Sequence, residues 1–391
     1  MKYHLIISLL TVLLLSGCQT TSTPSIPQHP FELVNQPSFK VLTVESQAEI
    51  FRLDNTIITK LNKSISHSND AKLITKELLQ FIFNSAENQI NYRSGSTLTA
   101  NQTFSQQNAN CLSLSILSYA LASELQLRSA FQRVHIPEYW SLEQGVNMLT
   151  GHVNLKIDFE SFDRLNGVNR YYNYADSVTI DFDPNTRQQP FKTEFISKEV
   201  ITAMFYNNKG AMAMINQQYD LAFSYFKAAI ELIPSYSGSW GNLGILLKIN
   251  QLTHDAELAY LHAIKLDDNN NTAKGNLAIL YNQTGREMLA RSIEQQLLEK
   301  RKENPFYHLA IGNEAFLHRE YRQAINHYRN ALNLDKNNHE SYFGLAKSYF
   351  ELGDKKLATR YLKKAHKNAQ FSADLERYQN KLSHLNALVQ Y

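Results

Sequence analysis

The sequence predicts an α+β domain followed by an all-α superhelix of stacked helix pairs. Three observations carry that prediction. From about Ala203 onward, small and large residues recur at a fixed spacing of 34 positions. Upstream, the run from Cys111 to Leu125 is apolar or small on nearly every side, as a buried central helix requires. Beyond it the hydrophobic period falls to two, in Gly151 to Ile157 and again in Ser177 to Phe182, which marks strands.

The chain opens with Lys2 and an apolar run from Leu5 to Leu15, too short to span a bilayer and followed at once by small residues. Its ending, Leu15-Ser16-Gly17-Cys18, resembles the lipobox of bacterial lipoproteins. The resemblance implies a signal peptide over 1–17, cleavage before Cys18 and acylation of its thiol. By the same resemblance, to Gram-negative lipoproteins, the non-acidic Gln19 implies sorting to the outer membrane, facing the periplasm. Thr20 to Pro30 is rich in Ser, Thr and Pro, so 18–34 reads as the lipidated cysteine and a flexible tether. No later segment is long and apolar enough for a second anchor, so membrane attachment is expected through the lipid alone. The chain has two cysteines and a net charge of +3. With Cys18 acylated, Cys111 is the one thiol left and has no disulfide partner. Near-balanced charge and the lack of a nucleic-acid motif or glycine-rich phosphate loop argue against nucleic-acid and nucleotide ligands.

The α+β domain is expected over 35–200. Pro37 to Phe83 reads as mostly helical, with Ala71 to Phe83 the clearest amphipathic piece. A polar loop from Asn91 to Asn110 leads into the helix that Cys111 opens. At a helix's first turn, unpaired backbone amides and the dipole favour an anion, a placement that activates a thiol. Phe131-Gln132-Arg133-Val134 reads as a strand. In the next, Val153, Leu155 and Ile157 share one face, with His152 and Asn154 on the other. In the last, Thr179, Asp181 and Asp183 share a face opposite Val178, Ile180 and Phe182.

Cysteine opening a buried helix, histidine starting one strand and aspartate ending the next is the order found in transglutaminase-like, papain-related cysteine enzymes. The stretches Thr99 to Phe104, Asn110-Cys111 and Leu127 to Phe131 extend the match, which covers roughly 75–190. The resemblance implies Cys111 as nucleophile, His152 as its base, and Asp181 to orient the imidazole, with Asp183 as runner-up because it precedes Pro184. It also implies that the Cys111 amide helps hold the oxyanion. No cofactor and no metal is expected: His135 could join a Cys-His-Asp site, but no close ligand pair supports one. Tyr139 and Trp140 are placed either along a substrate cleft or in surface packing.

The repeated half is expected over 201–372. Gly210, Gly244, Ala278, Gly312 and Ala346 occupy one small position; Ala222, Ala256, Ala290, Ala324 and Ala358 a second. Phe226, Tyr260, Tyr328 and Leu362 fill a large position, with Ala229, Ala263, Ala331 and Ala365 following. Small residues let paired helices approach while the large one fills the groove between them. Trp240, Leu243, Gly244 and Pro234 complete a pattern that resembles tetratricopeptide (TPR) repeats. Five units fit, over 203–236, 237–270, 271–304, 305–338 and 339–372. The third is weakest, because Glu294 takes the large position and Leu297 a small one. Residues 373–391 read as a capping helix. The resemblance implies a superhelix whose concave face binds a protein or peptide, with Asn242, Asn276 and Asn313 as candidate contacts.

Two main functional readings follow. In one, the chain is a lipid-anchored cysteine peptidase, amidase or acyltransferase whose repeats bind substrate or partner. In the other, the repeats serve as a non-catalytic adaptor of an envelope assembly and the first domain is degenerate. A redox-sensing Cys111 is a third.

Overall fold

The computed structural model describes residues 30–83, 90–93, 95–143, 146–159, 177–181, 191–369 and 372–389. Cys18, the leader, the start of the tether and Asp183 lie outside them. A mixed α/β part is followed by a long run of stacked α-helices.

The first part opens with a 3-10 helix, Pro30–Asn35, and three helices, α1 (Gln47–Phe51), α2 (Asn55–Ser64) and α3 (Ala71–Phe83). A capping box starts α1: the Ser46 hydroxyl accepts from the Glu49 amide, and the Glu49 carboxylate accepts from the Ser46 amide. Pro37 to Phe83 is mostly helical, as its sequence suggests, but between Asn35 and α1 the chain is not. Residues 30–43 instead lie against the repeats. Leu33, Val34 and Phe39 are buried there, Phe39 stacks on Phe223 at 4.7 Å, and the Leu42 amide donates to the Ser224 hydroxyl at 2.8 Å. The end of the expected tether is thus a packed element.

The polar stretch after α3 is more ordered than a loop. It holds β1 (Asn91–Tyr92), α4 (Ala100–Gln106) and β2 (Asn108–Ala109), with β1 and β2 parallel. Thr99 and Gln102 form a second capping box, a signal present in the sequence but hidden by the polar composition. Helix α5 (Cys111–Glu124) follows, capped by Asn110, whose side-chain oxygen accepts from the Ser113 amide at 2.9 Å. It is buried almost throughout, as its all-round apolar sequence demands.

Four strands, β3 (Arg128–Glu143), β4 (Val146–Asp158), β5 (Ser177–Ile180) and β6 (Thr193–Ile196), form an antiparallel sheet in the order β5-β4-β3-β6. Val153, Leu155, Ile157, Phe131 and Ile180 pack with Leu112, Ile116 and Leu121 of α5 into one core. Strand β3 is far longer than Phe131 to Val134. It and β4 extend as a hairpin beyond the sheet. Their pairing slips between Val134↔His152 and Tyr139↔Thr150, so four residues of β3, His135 to Glu138, face the single Gly151.

The helical run comprises α6 (Lys198–Ile215), α7 (Tyr219–Leu232), α8 (Ser237–Ile249), α9 (Thr253–Leu266), α10 (Asn271–Gln283), α11 (Glu287–Arg301), α12 (Pro305–Leu317), α13 (Tyr321–Leu334), α14 (His339–Glu351), α15 (Lys355–Asn368) and α16 (Ser372–Val389). Its first helix starts before the repeat register because Ile201 and Phe205 also pack into the α/β core. The small positions have a direct steric cause. A Cβ at Gly210, Gly244 or Gly312 would stand 2.6–2.7 Å from the ring of Phe226, Tyr260 or Tyr328. Where the small position is alanine, at Ala278 and Ala346, the large position holds Glu294 or Leu362 and no ring. The Gly244→Ala protein is therefore expected to lose about 1–2 kcal/mol in denaturant unfolding, despite alanine's better helix propensity. The Ala278→Gly protein should lose only about 1 kcal/mol, the propensity difference itself. A stabilised Gly244→Ala protein would contradict the ring-contact explanation.

The third pair is the loosest. In α11 only Ala290 and Leu297 are buried, Met288 is 86% exposed, and Glu294 accepts from Asn282 at 2.8 Å instead of filling a groove. The hydrophobic core divides at this helix, with Ala290 ending one cluster and Leu309 beginning another.

Candidate functional site

Cys111 stands at the first position of α5 and is 4% exposed. Its helix start is clamped from two sides. The Asn110 side-chain amide donates to Thr97 Oγ1 at 2.9 Å, and Ser113 Oγ donates to the Ser96 carbonyl at 2.9 Å while accepting from the Leu98 amide at 2.8 Å. The thiol donates toward the Gly151 carbonyl, with Sγ at 3.6 Å. The adjacent His152, on β4, is 2% exposed. Its Nε2 lies 2.9 and 3.0 Å from the two carboxylate oxygens of Asp181, which directly follows β5. The Cys111 thiol is the other hydrogen-bonding partner of the imidazole. Three residues from separate elements thus meet around one imidazole. β4 and β5 pair from Leu155↔Ile180 to Asp158↔Ser177, which brings Asp181 level with the His152 end of β4.

The electrostatics of the imidazole are set by opposing effects. Burial is the largest single influence and disfavours the charged ring. The hydrogen bond that the ring donates to Asp181, then the hydrogen bond and charge of Cys111 and the charge of Asp181, together outweigh it and raise the pKa of His152 from 6.5 to about 10. A proton is therefore held on this ring at neutral pH, between a carboxylate and a sulfur.

Asn154 is a further member of the site, one that sequence reasoning placed on a polar face without a role. It is 3% exposed, and its amide donates to Asp181 Oδ2 at 3.1 Å. The signal was available, since a period of two puts residues 152 and 154 on the same side. An Asn154→Ala change is expected to weaken the hold on Asp181, and NMR titration should show the His152 midpoint shifted from the wild-type value. An identical titration in the variant would show that Asn154 leaves the Asp181 carboxylate's position unaffected.

The other candidates fall elsewhere. His135 is exposed on the β3 bulge, where its ring lies 3.5 Å from Glu194, so it does not join Cys111. Among the described residues no group of three or more His, Cys, Asp or Glu side chains is placed to hold a metal ion. Tyr139 and Trp140 do not line the Cys111 site. They pack on the repeats, edge-on to Phe306 at 4.9 Å and to Tyr307 at 6.2 Å. Glu138 beside them receives Arg301 Nε and Nη2 at 2.8 and 3.0 Å, and its backbone carbonyl accepts from the Asn304 amide at 2.7 Å. No local pattern could reveal a contact between residues 163 positions apart. Of the asparagines proposed for the repeat groove, Asn242 donates to Asn207 at 2.9 Å across neighbouring helices. Asn276 bonds back to Thr272 of its own helix, and Asn313 accepts from the Tyr328 hydroxyl.

A family model described as tetratricopeptide repeat matches residues 205–236 and 339–368, and another described as TPR repeat matches 312–353. The chain is 31% identical over 80 residues to the uncharacterized protein ycf37 of Cyanophora paradoxa, a match covering 20% of this chain and 46% of that protein. The chain therefore spans about half the length of that curated relative. Among solved structures it is similar to YrrB, a TPR protein with an unusual peptide-binding site, at 14% identity and a TM-score of 0.25, covering 46% of this chain and 92% of YrrB. It is similar to pilF of Pseudomonas aeruginosa at 13% identity and a TM-score of 0.29, over 50% and 93% of the two chains. The paired helices, their 34-residue register and the matched repeat models make the C-terminal part of this chain a tetratricopeptide-repeat region.

Proposed function

We propose that this protein acts through its repeats, as an adaptor that binds a protein or peptide segment. The observation that carries this reading is the TPR region itself, matched by repeat models over 205–236 and 312–368, within five in-phase helix pairs of which all but the third fill the large packing position. A library of displayed peptides panned against the full-length chain should enrich a defined pattern. The enriched peptide should lose affinity by about tenfold or more when Asn276 and the exposed Ile279 of α10 are replaced by glutamate. Failure to enrich, or binding indifferent to every such change along α8, α10 and α12, would contradict the reading.

A second reading is favoured by one specific observation, the imidazole of His152 held between Asp181 and Cys111. In it the first domain is a transglutaminase-like, papain-related thiol site working on amides. The Cys111 sulfur attacks a carbonyl carbon, a C–S bond forms, and the C–N bond breaks as His152 gives its proton to the departing amine. Water then releases the acid, or an amine takes the acyl group. Amides at the first turn of α5, that of Cys111 included, supply donors for the oxyanion. A fluorescent peptidyl acyloxymethyl ketone should label the wild-type chain and leave the Cys111→Ser chain unlabelled. Equal labelling of both would remove this reading.

The leader adds a location to either reading: a lipid anchor at Cys18 and an outer-membrane protein facing the periplasm. Metabolic labelling with a fatty acid should mark the chain and should be lost in Cys18→Ala.

A further inference from the structure

We infer that Arg301 and Asn304, at the junction of the third and fourth helix pairs, are positioning residues for the His152 cluster, acting through Glu138 and the β3 bulge. The inference deepens the thiol reading and rests on it only for the consequence at Cys111; the effect on His152 is measured separately.

The bulge is where the hairpin needs outside support. From His135 to Glu138 the backbone has no regular ladder partner on β4, because only Gly151 stands opposite. Backbone groups without ladder partners are satisfied elsewhere or left costly. Two partners come from outside the hairpin. The His135 amide donates to the Lys192 carbonyl at 2.9 Å, just ahead of β6. The Glu138 carbonyl accepts from Asn304, the residue that also caps α12 through its contact with the Phe306 amide. The Glu138 carboxylate is gripped by both nitrogens of one Arg301 edge, with the two side chains 18% and 16% exposed. A bidentate, shielded pair fixes direction as well as distance. Arg301 also lies over the Trp140 ring at 5.3 Å, so the hairpin is held on both sides of Glu138.

The held segment is the one that shapes the site. Gly151, opposite the bulge, presents the carbonyl that the Cys111 thiol meets at 3.6 Å, and His152 follows it directly. If the bulge relaxes, Gly151 and His152 are the residues whose register is no longer imposed. The repeat junction so engaged is also the loosest part of the array, where the core divides at α11. A partner that shifts α11 against α12 would move the bulge with it.

The test uses the full-length chain. The His152 titration midpoint is followed by NMR, the Cys111 alkylation rate by iodoacetamide, and the exchange of 135–139 by hydrogen–deuterium exchange. In Arg301→Ala, the 135–139 backbone should exchange faster and the His152 midpoint should fall by about one pH unit. Alkylation should slow by about tenfold, with the helical signal of the repeats unchanged. Arg301→Lys, which keeps charge but not the two-pronged grip, should recover part of the midpoint. Asn304→Ala, a milder change, should move the same readouts in the same direction, and serves if Arg301→Ala does not fold. Faster exchange at 135–139 with a His152 midpoint at the wild-type value would overturn the inference. Slow, His152-independent alkylation in the wild type, alongside a midpoint that moves in the variants, would count against the thiol reading and still support the positioning role.

Discussion

In the Asp181→Asn protein, the His152 imidazolium is expected to lose its proton on the order of two to three pH units earlier than in the wild type. Burial pushes this ring toward neutrality, and the Asp181 carboxylate at 2.9 Å is the strongest influence opposing it. Asparagine keeps the shape and removes the charge, leaving Cys111 alone to hold the proton. The consequence for stability has a definite sign. The folded-state pKa of His152 is raised from 6.5 to about 10, so its contribution is complete below about 6.5 and is lost as pH climbs toward 10. One proton sets the steepest slope, about 1.4 kcal/mol per pH unit. Denaturant unfolding of the wild type between pH 6 and 10 should show stability falling along that window. The Asp181→Asn protein should be less stable at pH 6 and flatter above it. Parallel curves for the two proteins would contradict the charge assignment.

Trp240→Ala is expected to cost about 3–5 kcal/mol and to unfold the first two helix pairs ahead of the rest. Trp240 is fully buried, and its indole donates to the Pro234 carbonyl at 2.8 Å. The ring meets His262 at 4.5 Å and Phe31 at 6.1 Å, so it joins the two helices of the second pair to the segment that precedes α1. Loss of the ring should free residues 30–43 as well, detectable as faster exchange at Leu42, whose amide is bonded to Ser224. Trp240→Phe should restore most of the packing but not the bond to Pro234. A loss below about 1 kcal/mol for the alanine change would mean that the stacked pairs do not depend on this contact.

Much of the repeated half was legible because its determinants are local and periodic. A glycine is needed wherever a ring falls sixteen positions later, and the pairs Gly210 with Phe226, Gly244 with Tyr260 and Gly312 with Tyr328 state that rule in the sequence itself. Glu294 marked the weak third pair for the same reason. The elements around Cys111 were legible as well, since an all-round apolar helix and two strands of period two differ clearly. Two kinds of feature were not. The capping box at Thr99 and Gln102 is masked by the polar stretch around it, so the sequence suggests a loop where α4 forms. Long-range contacts leave no periodic trace: residues 30–43 lie on α7 and α9, and Glu138 meets Arg301 only because the hairpin reaches the repeats. Tyr139 and Trp140 show the limit well. Their aromatic character announced burial, but which surface would bury them depended on the slip in register at Gly151.

Whether Cys111, His152 and Asp181 operate as one charge-coupled unit is decided by the alkylation rate of Cys111 at pH 7 in wild type and His152→Ala. Iodoacetamide should react with the wild-type thiol about a hundredfold faster than with the variant, both chains being folded. Equal rates in the two folded proteins would contradict that coupling.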